Sequence, residues 1–370
     1  MLDIAVNDSR VAAEALGIAL DTSAPVILWG APGTGKTSVV RSLAEARGLD
    51  CEVVVASIHD PTDFAGLPVV GDGCVDLAPP SWARRLATKR SGLLFLDELT
   101  TAPPAVQAAL LRVVLERTVG DLPLPATVRV VAAANPPDQA ADGWELAPPL
   151  SNRFCHLAWP LDPSAFARGL LEGWNCPDVP TVPAGWESEL PAARATVSAF
   201  VSARPKLLLA VPDAGDPAPA WPSPRSWDLA ARLHAAARAA GTSQEATSLL
   251  VAGCVGDGAA LEFLAFSADL DLPDPEALLA DPAAFELPER GDRALAALNA
   301  VAAAVTASAT ADRWNAGWEI VARAADALPD VAATAARSLA ACRPDGLAAP
   351  AVAGTLAPVL ADAGILKGVR

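Results

Sequence analysis

The chain has 370 residues, 52% of them hydrophobic, and a formal net charge of −16. It is long enough for two or three domains with real cores. Its acid excess, shared by residues 1–160 and by the remainder, argues against non-specific nucleic-acid binding and against an anionic membrane surface.

Taken in chain order, the N-terminus carries Asp3 and Asp8 and lacks the basic start of a signal peptide. Pro25 to Trp29 is an apolar run of strand length. It leads into Gly30-Ala31-Pro32-Gly33-Thr34-Gly35-Lys36-Thr37, which fills the pattern G-x-x-x-x-G-K-[ST] at every constrained position. Ser38 to Arg47 follows as a helix closed by Gly48. Strand, glycine loop and helix in that order make an anion site, because the loop N–H groups and the positive helix end point at phosphate. Lys36 would reach the β- and γ-phosphates, and the Thr37 hydroxyl would sit on Mg²⁺. A chance glycine turn leaves the strand and helix on either side without an explanation.

A second strand is expected over 51–56. Leu67-Pro68-Val69-Val70, the turn Gly71-Asp72-Gly73 and Cys74-Val75 read as a hairpin. Arg84, Arg85, Lys89 and Arg90 form the one local basic run. It reads as a solvated helix face or, alternatively, as part of a subunit interface. Residues 93–98 are Leu-Leu-Phe-Leu-Asp-Glu, a buried strand whose carboxyl end faces the phosphates. Adjacent acids there are costly unless a metal or a proton transfer uses them. Asp97 would hold Mg²⁺ through water and Glu98 would polarise the attacking water, whereas an acidic turn is the plainer alternative.

A helix starts near Pro103-Pro104 with an apolar stripe of Val106, Leu110, Val113 and Val114. A second hairpin is expected between Arg117 and Val130, turning at Gly120-Asp121. The strand 128–134 ends in Asn135, an amide beside the same crevice that could orient water or touch the γ-phosphate. Arg153 precedes a last strand over 154–158. Strands 26–29, 51–56, 93–97, 128–134 and 154–158 make a doubly wound α/β core with its site at the strand ends.

After Trp159-Pro160 the strand signals stop, and residues 161–268 read as helices between Pro-rich loops at 177–184 and 212–224. Ser223 suits an N-cap and Pro224 the first helical position, which puts Arg225 in the first turn. A cation there opposes the helix dipole, which favours a phosphate-pairing role. Asp269 to Pro275 reads as a linker, and 276–370 as Ala-rich helices that serve as a cap or a docking surface. Within them, Ala294 to Ala311 keeps a stripe of Leu298, Val301 and Val305 and reads as a packed helix, too interrupted by Asn299 and Thr306 to span a membrane. Six cysteines show no C-x-x-C pair and no Cys/His ligand spacing. No zinc site is expected, and a reducing cytoplasm is the simpler setting.

Residues 24 to about 265 resemble the AAA+ ATPases and, within them, the MoxR-like branch. The resemblance implies a P-loop AAA+ α/β nucleotide-binding domain over 1–160, an all-α lid over 161–268 and a helical C-terminal extension over 269–370. Gly30, Ala31, Pro32, Gly33, Thr34, Gly35, Lys36 and Thr37 look like Walker A, with Ser38 next to them on the nucleotide. Leu93 to Glu98 looks like Walker B, with Thr37 and Asp97 on Mg²⁺ and Glu98 as base. Asn135 looks like sensor 1, Arg153 like the arginine finger given to a neighbouring subunit, and Arg225 like sensor 2. The first hairpin looks like the family's insert in helix 2, and the second like the hairpin before sensor 1. Asn152 stands where members often carry Asp, and the Gly-Gln signature that often opens the family is not visible in residues 1–23, which leaves the adenine contacts unassigned.

The resemblance implies ATP hydrolysis with Mg²⁺ in a homo-oligomeric ring, a hexamer, doing chaperone-like work on a protein client. A separately encoded von Willebrand factor A domain protein is one such partner; no D-x-S-x-S motif of that kind lies on this chain. Neither nucleic acid nor membrane is expected as a partner. Two other readings keep the fold. A nucleic-acid-stimulated motor would need basic groove residues and a salt-sensitive response to DNA. A nucleotide-gated scaffold without useful turnover is disfavoured by the presence of both Asp97 and Glu98.

Overall fold

The computed structural model describes residues 8–356, apart from 72, 90, 137–142, 213–218, 271 and 355. The first helix, α1 (Ser9–Asp21), starts at Asp8, whose side chain accepts from the Arg10 N–H. Then come β1 (Val26–Trp29), α2 (Lys36–Ala46) and β2 (Asp50–Val55). A short α3 (Thr62–Ala65) leads into the antiparallel hairpin β3 (Leu67–Gly71) and β4 (Cys74–Ala78). After α4 (Ser81–Ala87) the chain enters β5 (Gly92–Asp97) and α5 (Pro104–Glu116). A small hairpin of β6 (Thr118–Val119) and β7 (Leu122–Pro123) then precedes β8 (Val128–Ala134), α6 (Pro148–Ser151) and β9 (Cys155–Ala158).

Five of these strands form one sheet in the order β2-β5-β8-β1-β9, and every pairing in it is parallel. The composition of the strands explains this. Leu93 to Leu96, Val130 to Ala134 and Val26 to Leu28 are buried without alternation, the pattern of strands covered on both faces. Helix α5 supplies one cover. Its Val106, Leu110, Val113 and Val114 are buried as the stripe predicted, in a core with Ile27, Leu94, Leu96 and Phe64. The register pairs Trp29 with Ala134 and Leu96 with Ala132. Gly30, Asp97 and Asn135 therefore leave the sheet along one edge, where β1 sits between the outgoing and returning halves of the chain.

Beyond β9 the described elements are helical: α7 (Pro163–Glu172), α8 (Leu190–Ala203), α9 (Pro224–Ala240), α10 (Gln244–Val255), α11 (Asp257–Leu270), α12 (Pro275–Ala280), α13 (Gly291–Ala307), α14 (Ala311–Ala325) and α15 (Pro329–Ala341). Helix α9 begins as expected. Ser223 caps it reciprocally with Ser226, and Pro224 follows at the first helical position.

Internal contacts divide the chain into two units, one of residues 1–184 with 209–261 and the other of 185–208 with 262–370. The α/β sheet thus shares a unit with α9 and α10; the α10 cap residue Ser243 donates to Glu14 of α1 at 2.8 Å. The second unit has its own core, built from Leu298, Val301 and Val305 of α13, Trp314 and Trp318 of α14 and Leu339 of α15. The Trp314 indole N–H donates to the Leu339 carbonyl at 2.7 Å.

These units cut across the boundaries expected at 160 and 268. Helix α8 and the latter part of α11 belong with the C-terminal helices, where Phe200 stacks edge-on to Phe263. Three other details differ. The second hairpin ends at Pro123, because Pro123 and Pro125 cannot donate to a ladder, and Val128 joins the central sheet instead. Asp269 and Leu270 extend α11 rather than forming a linker. The helix over 294–311 stops at Ala307 and a new one begins at Ala311, capped by Thr310. Parts of the expected loop 212–224 and the hairpin tip residue Asp72 lie outside the described residues.

Candidate functional site

The phosphate-loop pattern sits where β1 leaves the sheet. The Gly30 N–H donates to Ala134 O at 3.2 Å. A Cβ at Gly30 would meet the Trp159 carbonyl at 2.7 Å, so only glycine lets these two backbones pass. Trp159 then donates its indole N–H to Thr34 O at 3.0 Å, pinning the outer side of the loop. Gly35 caps α2 with φ 87°, in the left-handed region that glycine enters freely.

Lys36 opens α2, is only 8% exposed, and turns back into the loop. Its Nζ donates to Gly30 O at 2.6 Å, Ala31 O at 3.0 Å and Asn135 Oδ1 at 3.1 Å. Burial lowers its pKa from the usual lysine value, and the Asp97 carboxylate opposes that shift. Next to it, Thr37 Oγ1 donates to Asp97 Oδ2 at 2.9 Å. Lys36 and Asn135, and Thr37 and Asp97, are thus paired directly, although 99 and 60 residues separate them in sequence.

A cavity of about 350 Å³ opens between these groups, lined by Pro32 to Ser38, Asp97, Glu98, Ala133 and Asn135. Gly30 and Ala31 stand behind it and contribute the carbonyls that hold Lys36. The cavity suits a nucleotide's phosphates, since the N-terminus of α2 and a buried ammonium both face it. Its donor set also suits Mg²⁺, which is held by one or two carboxylates with hydroxyl, water and substrate phosphate oxygens. Asp97 and Thr37 offer oxygens of that kind. Among the described residues no cluster of three or more His, Cys, Asp or Glu could hold a metal by protein ligands alone.

Glu98 carries two features that sequence reasoning did not find. Its φ is +56°, a strained conformation for a residue with a side chain, costing on the order of 1–3 kcal/mol. Its Oε2 also accepts from Ser57 Oγ at 2.5 Å, across from the 3₁₀ turn after β2. The turn that carries Glu98 after β5 is held from within: Glu98 N–H donates to Asp97 Oδ1 at 3.0 Å, and Thr101 Oγ1 donates to Glu98 O at 2.8 Å. Thr100, 3% exposed, receives the Asn135 N–H at 3.3 Å. The T-T pair after the acids was the available signal for these two hydroxyls; nothing in the local sequence points to Ser57.

Arg153 and Arg225 do not line the cavity. Arg153 follows α6 and donates through Nη1 to Pro149 O. Burial, and then the nearby Arg225, lower its pKa below the usual arginine value. Arg225 is exposed in the first turn of α9. Two cations therefore lie close together, and neither lines the cavity of its own chain.

Residues 25–154 match the AAA domain profile of the dynein-related subfamily. The α/β part of this chain has the fold of an AAA+ core and is similar to that family over the matched span. The matched span contains the loop, both acids, Asn135 and Arg153. Two curated relatives are similar over shorter stretches. The pathogenicity locus probable regulatory protein WtsA of Pantoea stewartii subsp. stewartii is 30% identical over 34% of this chain and 42% of its own. The Psp operon transcriptional activator of Escherichia coli K12 is 35% identical over 30% of this chain and 37% of its own. The chain thus spans less than half the length of the curated relatives it matches. Among solved structures, a full-length MCM homolog from Methanopyrus kandleri aligns with 68% of this chain and 55% of its own at 19% identity and a TM-score of 0.37.

Proposed function

We propose that this AAA+ chain is a MoxR-like, Mg²⁺-dependent ATPase that works as a homo-oligomeric ring, a hexamer, to remodel or activate a protein client. The observation that carries the hydrolytic part is the pairing of Lys36 with Asn135 and of Thr37 with Asp97 around one cavity that also exposes Glu98. Phosphoryl transfer to water needs positioning and charge stabilisation more than covalent chemistry. Lys36 and the loop N–H groups hold the phosphates. Glu98 orients and deprotonates the attacking water, once its carboxylate exchanges Ser57 for that water. Asn135 fixes the opposite side of the reacting group. Thr37 and Asp97 would hold Mg²⁺, which when bound would neutralise phosphate charge.

The arginines support the ring reading. Arg153 lies outside its own cavity, so its role as a finger requires a neighbouring copy, and Arg225 serves as the sensor on the lid. The hairpin β3–β4 supports the client reading, because Leu67, Val69, Val70 and Val75 are 60%, 46%, 81% and 59% exposed. A von Willebrand factor A domain protein fits as the separately encoded partner, in a cytoplasmic setting and without nucleic acid. No helix among the described residues is long and apolar enough to cross a membrane.

Steady-state hydrolysis of Mg·ATP by wild type and Glu98→Gln tests the reading. Wild type should turn over, at a specific activity that rises with protein concentration as the ring assembles. Glu98→Gln should keep ATP bound while hydrolysis falls by about 10²–10⁴. Absence of wild-type turnover at every concentration and with every partner tried would favour the nucleotide-gated scaffold instead.

A further inference from the structure

His156 lies on β9 beside the site and takes no part in the chemistry described so far. Its ring is buried, 1% exposed. Nδ1 lies 2.9 Å from Trp29 Nε1, and Nε2 lies 2.9 Å from the Ser151 carbonyl oxygen. An indole N–H can only donate and a carbonyl can only accept. Nδ1 is therefore bare and Nε2 carries the proton. The two partners select one neutral tautomer, and burial, which lowers the His156 pKa to about 4, preserves it at neutral pH. The imidazole also stacks on Trp29, with centroids 6.0 Å and planes 17° apart.

Each partner leads to a different part of the site. Trp29 ends β1, and the next residue, Gly30, opens the loop and accepts from Lys36. Ser151 ends α6, and its carbonyl also receives the Phe154 N–H at 3.1 Å, closing the turn that presents Arg153. Ser151 Oγ donates to Pro219 O at 2.7 Å, on the approach to α9. Asn152 Oδ1 accepts from Ser223 Oγ at 2.8 Å, and Ser223 caps the helix that bears Arg225. One imidazole joins the base of the phosphate loop to the Arg153 turn, and the Ser151 and Asn152 side chains tie that turn to the start of α9. An apolar residue could fill the same place in the sheet but could satisfy neither partner.

We propose that His156 is a positioning residue that holds the Arg153 turn and the start of α9 in fixed relation to the phosphate loop. The inference rests on the ATPase reading above and deepens it. Its effect falls on transition-state contacts made by the arginines, not on the grip of the loop on ATP.

His156→Asn and His156→Gln separate the two bonds. An asparagine amide reaches the Nδ1 position and a glutamine amide the Nε2 position. Asn keeps a partner for Trp29 and loses the donor to Ser151, whereas Gln keeps that donor. ATP turnover, ATP affinity and Tm are measured for wild type and both variants. His156→Asn should lower kcat about tenfold, with KM and ATP affinity within about twofold. His156→Gln should recover to within about threefold of wild-type kcat, at a Tm close to that of the Asn variant. An Asn variant as fast as wild type overturns the proposal. So does loss of kcat that simply follows Tm in both variants, which is the mark of an ordinary core residue. Should the histidine variants not fold, Asn152→Ala reads the same link from the other side. It should lower kcat at unchanged KM, and an unchanged kcat overturns the proposal. A wild-type chain that does not hydrolyse ATP sinks the ATPase reading itself, whereas an active wild type with an unaffected Asn variant sinks this inference alone.

Discussion

Lys36 is the residue on which most of the site converges. Its ammonium is buried, joined to the loop carbonyls and to Asn135, and it is the fixed cation of the cavity. Lys36→Ala should abolish measurable ATP binding in a titration, and unchanged affinity would remove the phosphate-loop assignment. The fold should survive, since the side chain is anchored to the loop it serves and not to the hydrophobic core. The buried histidines make a second prediction at this scale. Burial lowers both His156 and His234 to about 4 from 6.5. As pH falls below 6.5 the unfolded chain takes up protons that the folded chain refuses. Stability is therefore intact above that point and is lost progressively toward pH 4, by up to about 3 kcal/mol for each histidine. Tm should drop steadily between pH 7 and pH 5, and a flat profile over that range would contradict the neutral assignment. The residues legible from sequence were those whose chemistry is tied to a local pattern: the loop, the paired acids at a strand end, the amide after β8. The Ser57 bond to Glu98 and the Trp29 bond to His156 were not legible, because each joins residues more than 40 positions apart through side chains with no characteristic spacing, and the shorter link from His156 to the Ser151 carbonyl has no local sequence signature.

At the scale of elements, the β3–β4 hairpin combines a fixed base with an exposed arm. At its base, Leu77 N–H donates to Asp121 Oδ2 at 2.6 Å and Leu77 O accepts from the Asp121 N–H at 3.0 Å. A Cβ at Gly66 would strike Gly120 at 2.6 Å, so the two hairpins pack backbone to backbone there. Above that base, Val69, Val70 and Val75 face solvent. Replacing residues 69–75 by a short Gly-Ser turn, with Leu77 retained, should leave basal ATP turnover within about twofold, because none of the arm's described residues lines the cavity. The same change should impair action on the client. A Tm lowered by more than about 5 °C, the scale of a 1 kcal/mol structural loss in a small domain, would make the arm a structural element. The hairpin was readable from its Gly-Asp-Gly turn and flanking β-branched residues. Its anchoring was not, because it depends on the second hairpin 40 residues on. That second hairpin was overdrawn for a simple reason: its alternation ran on through Pro123 and Pro125, where no ladder can form.

For the whole molecule, the chain has two units, each with its own core, and the site belongs entirely to the first. The change from strands to helices at Trp159 was plain in the sequence. The assignment of α8 to the C-terminal helices was not, since an Ala-rich helix carries little in its own pattern to say which neighbour it packs against. We propose that each cavity is completed by a second copy of the chain. The most direct measurement mixes subunits that are each inactive alone. Arg153→Ala keeps its cavity and lacks the finger; Lys36→Ala keeps the finger and lacks the cavity. Mixed before assembly, they should form some interfaces with an intact cavity and an intact finger, and ATP hydrolysis should return. Mixing Arg225→Ala with Lys36→Ala should restore none, because both changes disable the site of the subunit that carries them. Mixed assemblies that form and yet recover no activity from the Arg153→Ala pair, or that recover equally from both pairs, would contradict the claim.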